Sequence, residues 1–280
     1  MKIVKNNGLF DIVENNQVVK VYKCEADAVR FVEKITNTHI NTPIVNSVNI
    51  TLPQKFGINQ RFGFLSQLVS MVLNDVSPSL LITGQGGLGK SYSVMAMLED
   101  KEEGEDYIIV KGYSTAKGLY RTLYENNGKI IIFDDTDSVL KDATSLNILK
   151  GALDSYSKRV ISWNAEFSLN ETLPNSFEFV GKVIFISNLG QESINQAVKS
   201  RSLIIDLEMS TEDKIERMET ILVGVLPELS MEIKQDAFNF LKENANICKD
   251  LNMRTLIKIA KIRASFPDSW SELALYTIGA

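Results

Sequence analysis

The chain has 280 residues, 44% of them hydrophobic and 23% charged, with a formal net charge of −5. That balance belongs to an ordinary globular protein of one large or two modest domains. It excludes a broadly basic surface for bulk nucleic-acid coating, though not a narrow basic channel. No apolar run approaches the ~18 residues of a membrane span, and two cysteines, Cys24 and Cys248, with the single His39 leave no Cys/His zinc pattern.

In chain order, residues 1–38 read as a small α+β module. Residues 2–5, 9–14 and 17–23 have the character of short strands, punctuated by Asn6-Asn7-Gly8 and Asn15-Asn16 as hairpin turns. Ala28, Phe31, Val32 and Ile35 then fall at helical spacing. The opening residues lack the apolar core of a secretory signal, so a reduced cytoplasm is the expected location. Residues 39–54 contain Thr42-Pro43 and little periodicity, and read as a linker. Residues 63–75 are amphipathic, with Leu65, Leu68, Val69 and Val72 on one face.

Short apolar runs follow at 80–83, 107–110, 129–133, 183–186 and 203–207, most of them separated by helical segments such as 115–125. This alternation predicts an α/β core over 55–209, a parallel sheet covered on both faces. An extra candidate strand lies at 159–163, and the insert 163–180 predicts a hairpin. After residue 209 the pattern is helical only. Ser210-Thr211-Glu212-Asp213 resembles a capping box opening a helix through Leu222, with further helices near 230–243, 254–264 and 270–276. Residues 210–280 therefore form a predicted helical lid.

The chemistry concentrates in three strand ends. Gly84-Gln85-Gly86-Gly87-Leu88-Gly89-Lys90-Ser91 fits the phosphate-loop pattern G-x-x-x-x-G-K-[ST], between an apolar strand and a helix that begins with Ser91-Tyr92. Glycines let backbone N–H groups close around phosphates, and the helix start adds partial positive charge. Lys90 is placed to reach the terminal phosphates, and Ser91 to offer a hydroxyl to Mg²⁺. The strand Ile130-Ile131-Ile132-Phe133 ends in Asp134-Asp135. Asp134 is the expected Mg²⁺ residue and Asp135 the expected water-activating base, with Asp137 an alternative base. A third strand ends at Asn188, whose amide would lie beside the acids if this strand inserts between theirs and the first.

On these residues the chain resembles the AAA+ ATPases over about residues 55–265. Ala197-Val198-Lys199-Ser200-Arg201 is similar to that family's Ser-Arg box, and Leu251-Asn252-Met253-Arg254 to its second sensor at the head of a lid helix. The resemblance implies a P-loop AAA+ three-layer core that binds ATP and ADP with Mg²⁺ and hydrolyses ATP. By the same resemblance Arg201 reaches the γ-phosphate of a neighbouring subunit and Arg254 the phosphates of its own, with Lys199 and Arg263 as competitors. Always-charged, forked guanidinium groups suit both tasks. One departure is Asp135, where most AAA+ motors carry Glu. Asp-Asp, the Asn sensor and the Ser-Arg box also resemble viral superfamily-three helicases, which implies a phage or viral protein in the host cytoplasm.

A finger supplied in trans implies a homo-oligomer, a hexameric ring with ATP at each seam. Two segments are candidate pore elements. One is Val110-Lys111-Gly112-Tyr113-Ser114-Thr115-Ala116-Lys117-Gly118, in which Tyr113 can stack on a base and Lys111 and Lys117 can contact phosphates. The other is the 163–180 insert, whose Glu166, Glu171 and Glu178 do not favour phosphate. Two partner classes stay open: a DNA-directed motor or loader, and a protein remodeller whose N-terminal module grips a protein.

Overall fold

The computed structural model describes residues 2–6, 9–14, 17–22, 24, 56–156, 158–165 and 173–279. The chain divides into two compact units, Met1–Lys55 and Phe56–Ala280.

In the first unit β1 (Lys2–Asn6), β2 (Leu9–Glu14) and β3 (Gln17–Tyr22) form an antiparallel sheet in the order β1-β2-β3. Ile3 pairs with Ile12, and Ile12 with Lys20, before a register shift at Ile12/Val13. Ile12 is buried, whereas Val4, Val18 and Val21 are exposed. The helix expected from Ala28 to Ile35 and the linker at 39–54 lie outside the described residues.

The second unit opens with α1 (Ile58–Leu73), which buries Ile58, Phe62, Leu65, Val69 and Val72. The helix starts five residues before the expected 63, and its N-cap, Gly57, makes no side-chain capping bond. Then follow β4 (Ser79–Thr83), α2 (Lys90–Ala96), β5 (Tyr107–Lys111), α3 (Ala116–Glu125) and β6 (Ile130–Asp134). Two helices, α4 (Ser138–Lys141) and α5 (Ala143–Ala152), precede β7 (Val160–Ser162) and β8 (Ser176–Glu178). After these come β9 (Lys182–Ile186), the short α6 (Gln196–Lys199) and β10 (Leu203–Asp206).

Five strands make one parallel sheet in the order β10-β4-β9-β6-β5. Side chains alternate between its faces with period two. Leu80, Ile82, Ile130, Ile132, Ile184 and Ile186 pack against α1 and α2. Leu81, Ile131, Phe133, Val183 and Phe185 pack against α3, α5 and α6, with Phe133 and Phe185 stacked at 5.5 Å between centroids. Burial on both faces is why these strands are unbroken apolar runs. The result is the expected α/β three-layer core. The candidate strand at 159–163 does not join it. β7 instead pairs antiparallel with β8 in a separate sheet, so the hairpin expected within 163–180 is shifted: its first strand is the 159–163 candidate and only its second lies in the insert.

The C-terminal region is helical: α7 (Thr211–Ile221), α8 (Met231–Glu243), α9 (Met253–Ser265) and α10 (Trp270–Gly279). Ser210 and Asp213 form a reciprocal capping box at the start of α7, leaving two N–H donors satisfied. These helices have their own core around Met218, Phe238, Leu241, Leu256 and Ile259. Their joint to the sheet is pinned by Arg61 of α1, which donates to the carbonyls of Asp206 (3.3 Å) and Glu208 (2.6 Å) and to Asp213 (3.1 Å). No helix among the described residues is long and apolar enough to cross a membrane.

Candidate functional site

All five parallel strands end on one edge of the sheet, and that edge carries the loop after β4, the acids after β6 and Asn188 after β9. The strand order inserts β9 between β4 and β6, so the condition set for Asn188 is met. Gly84, Gly87 and Gly89 hold φ of 126°, 74° and 92°, the left-handed region that favours glycine. This lets the loop turn back into the N-terminus of α2.

Gly86, Gly87, Gly89, Lys90 and Ser91 line a cavity of ≈ 210 Å³, joined by Tyr92, Asp135, Asn188 and Arg254. Asp134 sits directly behind: the Ser91 hydroxyl donates to its Oδ1 at 2.8 Å. The remaining loop residues act through the backbone. The carbonyls of Gly84 and Gln85 accept from Lys90 Nζ at 2.5 and 2.7 Å, and Leu88 is buried in the core beside α1.

Lys90 is 5% exposed. Burial lowers its pKa, opposed by the charges of Asp135 and Asp134. It also donates to Asn188 Oδ1 at 3.0 Å, while Asn188 Nδ2 donates to Asp135 Oδ1 at 2.7 Å. Asn188 thus bridges the lysine and the second acid. Asp135 itself has φ 56°, and its N–H donates to the Ile186 carbonyl at 3.0 Å. Asp137, the alternative base, accepts from the Ser187 hydroxyl at 2.6 Å instead of lining the cavity.

The donor set suits the expected ligands. A serine hydroxyl and a carboxylate within 2.8 Å are hard oxygen donors of the kind Mg²⁺ takes one or two at a time beside substrate phosphates. The glycine-lined cavity offers space and backbone donors to an anion. Beside it lies an apolar cleft of ≈ 500 Å³ between α2 and the lid, lined by Gly89, Tyr92, Ile221, Val225, Met253 and Ile257 among others. A flat heterocycle fits such a wall.

The arginines part ways. Arg254 lines the glycine-loop cavity of its own chain. Arg263 is tied instead to Asp236 at 2.9 Å inside the lid. Arg201 is not at this cavity. It precedes β10, whose Leu203 pairs with Leu80 near the start of β4, so it lies at the opposite end of the sheet. There it lines a second cavity of ≈ 410 Å³ with Tyr156, Arg159 and Lys182, and its Nη1 donates to the Ala197 carbonyl at 3.0 Å. Lys199 donates to the Gln191 carbonyl.

Two residues take places that the sequence reading did not give them. Lys111, expected in a pore, puts Nζ 3.3 Å from Asp134 Oδ2. Asn252 is 4% exposed and buried against Gly87. Its side chain accepts from the Thr255 N–H at 3.1 Å, and that N-cap spacing was the available signal. Of the candidate pore elements, Tyr113 is 82% exposed. Tyr113, Lys117 and Trp163 line one cavity of ≈ 380 Å³, which brings the two segments onto one surface. Thr115 caps α3 through the Gly118 N–H at 3.1 Å. Glu166 and Glu171 lie outside the described residues, and Glu178 faces Lys158 at 3.6 Å.

No family model matches the chain. It is 29% identical over 241 residues to an uncharacterized 36.7 kDa protein from the nrdC–mobD intergenic region of Enterobacteria phage T4, covering 79% of this chain and 74% of that one. Among solved structures, it aligns with the Thermotoga maritima RuvB Holliday junction branch migration motor at a TM-score of 0.48 and 11% identity, covering 78% of this chain and 68% of that one. It aligns with Brucella abortus NtrX in complex with ATP at a TM-score of 0.49 and 12% identity, covering 91% and 57% of the respective chains.

Proposed function

We propose that this chain is a Mg²⁺-dependent ATPase of the AAA+ type that works as a homo-oligomeric ring, most simply a hexamer, on DNA. The observation that carries the reading is one connected set of contacts at a single sheet edge. Ser91 meets Asp134 at 2.8 Å, Lys90 meets Asn188 at 3.0 Å, and Asn188 meets Asp135 at 2.7 Å.

In this reading the adenine enters the apolar cleft and the phosphates lie along Gly86–Ser91, held by backbone N–H groups, Lys90 and Arg254. Ser91 and Asp134 would hold Mg²⁺, which would supply positive charge against the phosphates. Asn188 orients a water, and Asp135 takes its proton as the water oxygen bonds to the γ-phosphorus and the β–γ bridging oxygen leaves with ADP. Arg201 lies at the opposite end of the sheet from its own glycine-lined cavity, which is compatible with service to a neighbouring copy. A trans arginine of this kind is worth roughly 10³–10⁵ in rate.

Exposed Tyr113 beside Lys117 and Trp163 favours a stacking, phosphate-contacting partner. The second reading, a protein remodeller, draws on the exposed valines of the N-terminal sheet. ATP turnover measured with single-stranded DNA, duplex DNA and an unfolded protein separates the two: stimulation by the unfolded protein alone rejects the DNA reading. Asp135→Asn is expected to abolish turnover and keep ADP binding. Turnover unchanged by that substitution rejects Asp135 as the base.

A further inference from the structure

The lid meets the phosphate loop through its backbone, and Arg254 lines the cavity beside that contact. The Met253 N–H donates to the Gly87 carbonyl at 3.0 Å. Next to it, Asn252 caps α9, and its Cγ and Cβ would lie 3.1 and 3.3 Å from a Cβ placed on Gly87, which holds φ +74°. Met253 also lines the apolar cleft, and Arg254 the phosphate cavity. One turn of the lid therefore meets the cleft, the cavity and the loop between them. In a planar trans peptide the C=O and the following N–H point in opposite directions. A hydrogen bond that fixes the Gly87 carbonyl therefore also fixes the direction of the Leu88 N–H, in the turn between the cavity-lining Gly87 and Gly89.

We propose that the Met253 amide is a positioning group for the phosphate loop: docked on Gly87, with Asn252 packed beside it, it holds the loop peptide in its anion-binding orientation and couples lid docking to nucleotide affinity. The inference rests on the nucleotide reading above. Coupling is reciprocal, so ADP must tighten the lid contact as much as the contact tightens ADP.

Met253 is the first residue of α9, where proline is tolerated because its missing N–H is not needed within the helix. Asn252, at φ −156° and ψ 177°, already has the extended backbone that precedes proline. Met253→Pro thus deletes the donor, and Met253→Ala keeps it while removing the same side chain from the cleft. In the full-length protein, calorimetric titration with ADP is expected to give about tenfold weaker binding for Met253→Pro than for Met253→Ala, the size of one lost buried hydrogen bond. Hydrogen exchange in the wild type is expected to show the Met253 amide slowed about tenfold by saturating ADP. Equal ADP affinity of the two variants, or exchange at Met253 unchanged while ADP is bound, overturns the positioning role and leaves the nucleotide site standing. A wild-type protein that binds no ADP removes both. If Met253→Pro does not fold, the wild-type exchange measurement decides alone.

Discussion

Gly84→Ala tests the tightest backbone crossing in the site. A Cβ at Gly84 would lie 2.7 Å from the Leu207 carbonyl carbon, 2.9 Å from its oxygen and 3.0 Å from the Glu208 nitrogen, at φ +126°. None of these atoms belongs to a side chain that can swing aside. The segment is also fastened, by Leu207 N–H on the Thr83 carbonyl at 3.0 Å and by Arg61 on the Asp206 and Glu208 carbonyls. Gly128 is the matched control, with φ +92° and nothing within 4 Å of its added Cβ. Alanine at Gly128 meets only the conformational penalty, about 1–2 kcal/mol. Alanine at Gly84 adds overpacking of about 1–3 kcal/mol, for roughly 2–5 kcal/mol in all. At about 2–4 °C per kcal/mol for a unit of this size, Gly84→Ala is expected to melt about 4–20 °C below wild type and Gly128→Ala only about 2–8 °C below. Differential scanning calorimetry on both variants reads the difference. Melting temperatures that agree within about 1 °C between the two variants refute the claim that the hinge backbone closes over the loop.

Ser91→Ala removes the hydroxyl that meets Asp134 at 2.8 Å. ADP titrations should then show wild-type affinity falling on addition of EDTA, and the variant's affinity already low and insensitive to chelator. Arg201→Ala is expected to bind ADP like wild type but to lower turnover by roughly 10³-fold or more. In mixtures with wild type it should poison activity out of proportion to its fraction, and a linear fall in a mixing titration counts against a trans role. The thiols should separate kinetically: Cys24 is exposed, while burial pushes the Cys248 thiol pKa up. Labelling with a thiol reagent near neutral pH is therefore expected in two phases, Cys24 first, with Cys248 accelerating as pH rises through its elevated value. Equal rates for both would contradict the partial burial of Cys248.

The core strands were legible because burial on both sheet faces makes each an unbroken apolar run, and the loop because its glycines, Lys90 and Ser91 carry their chemistry in their spacing. The start of α1 was not, since Gly57 offers no capping side chain and Gly63 reads as a breaker. Helix α5 went unnamed because its apolar face is short, marked by Leu146, Ile148, Leu149 and Ala152, although Asp142, accepting from the Ser145 N–H at 2.7 Å, is an ordinary N-cap signal. Residues 159–163 have strand composition, but composition does not say which partner a strand chooses, and β7 pairs with β8 away from the main sheet. The Lys111–Asp134 pair depends on β5 lying next to β6 in register, with Lys111 opposite Asp134, and no local pattern encodes that.

The left-handed backbone at Asp135 bears on the choice of acid there. Short polar side chains tolerate that conformation better than longer ones, because they can bond locally. Here the side chain reaches Asn188 without extending. A glutamate at this position would have to accept the same main-chain twist with a longer, less constrained arm, so the aspartate is matched both to its turn and to the Asn188 amide it meets at 2.7 Å.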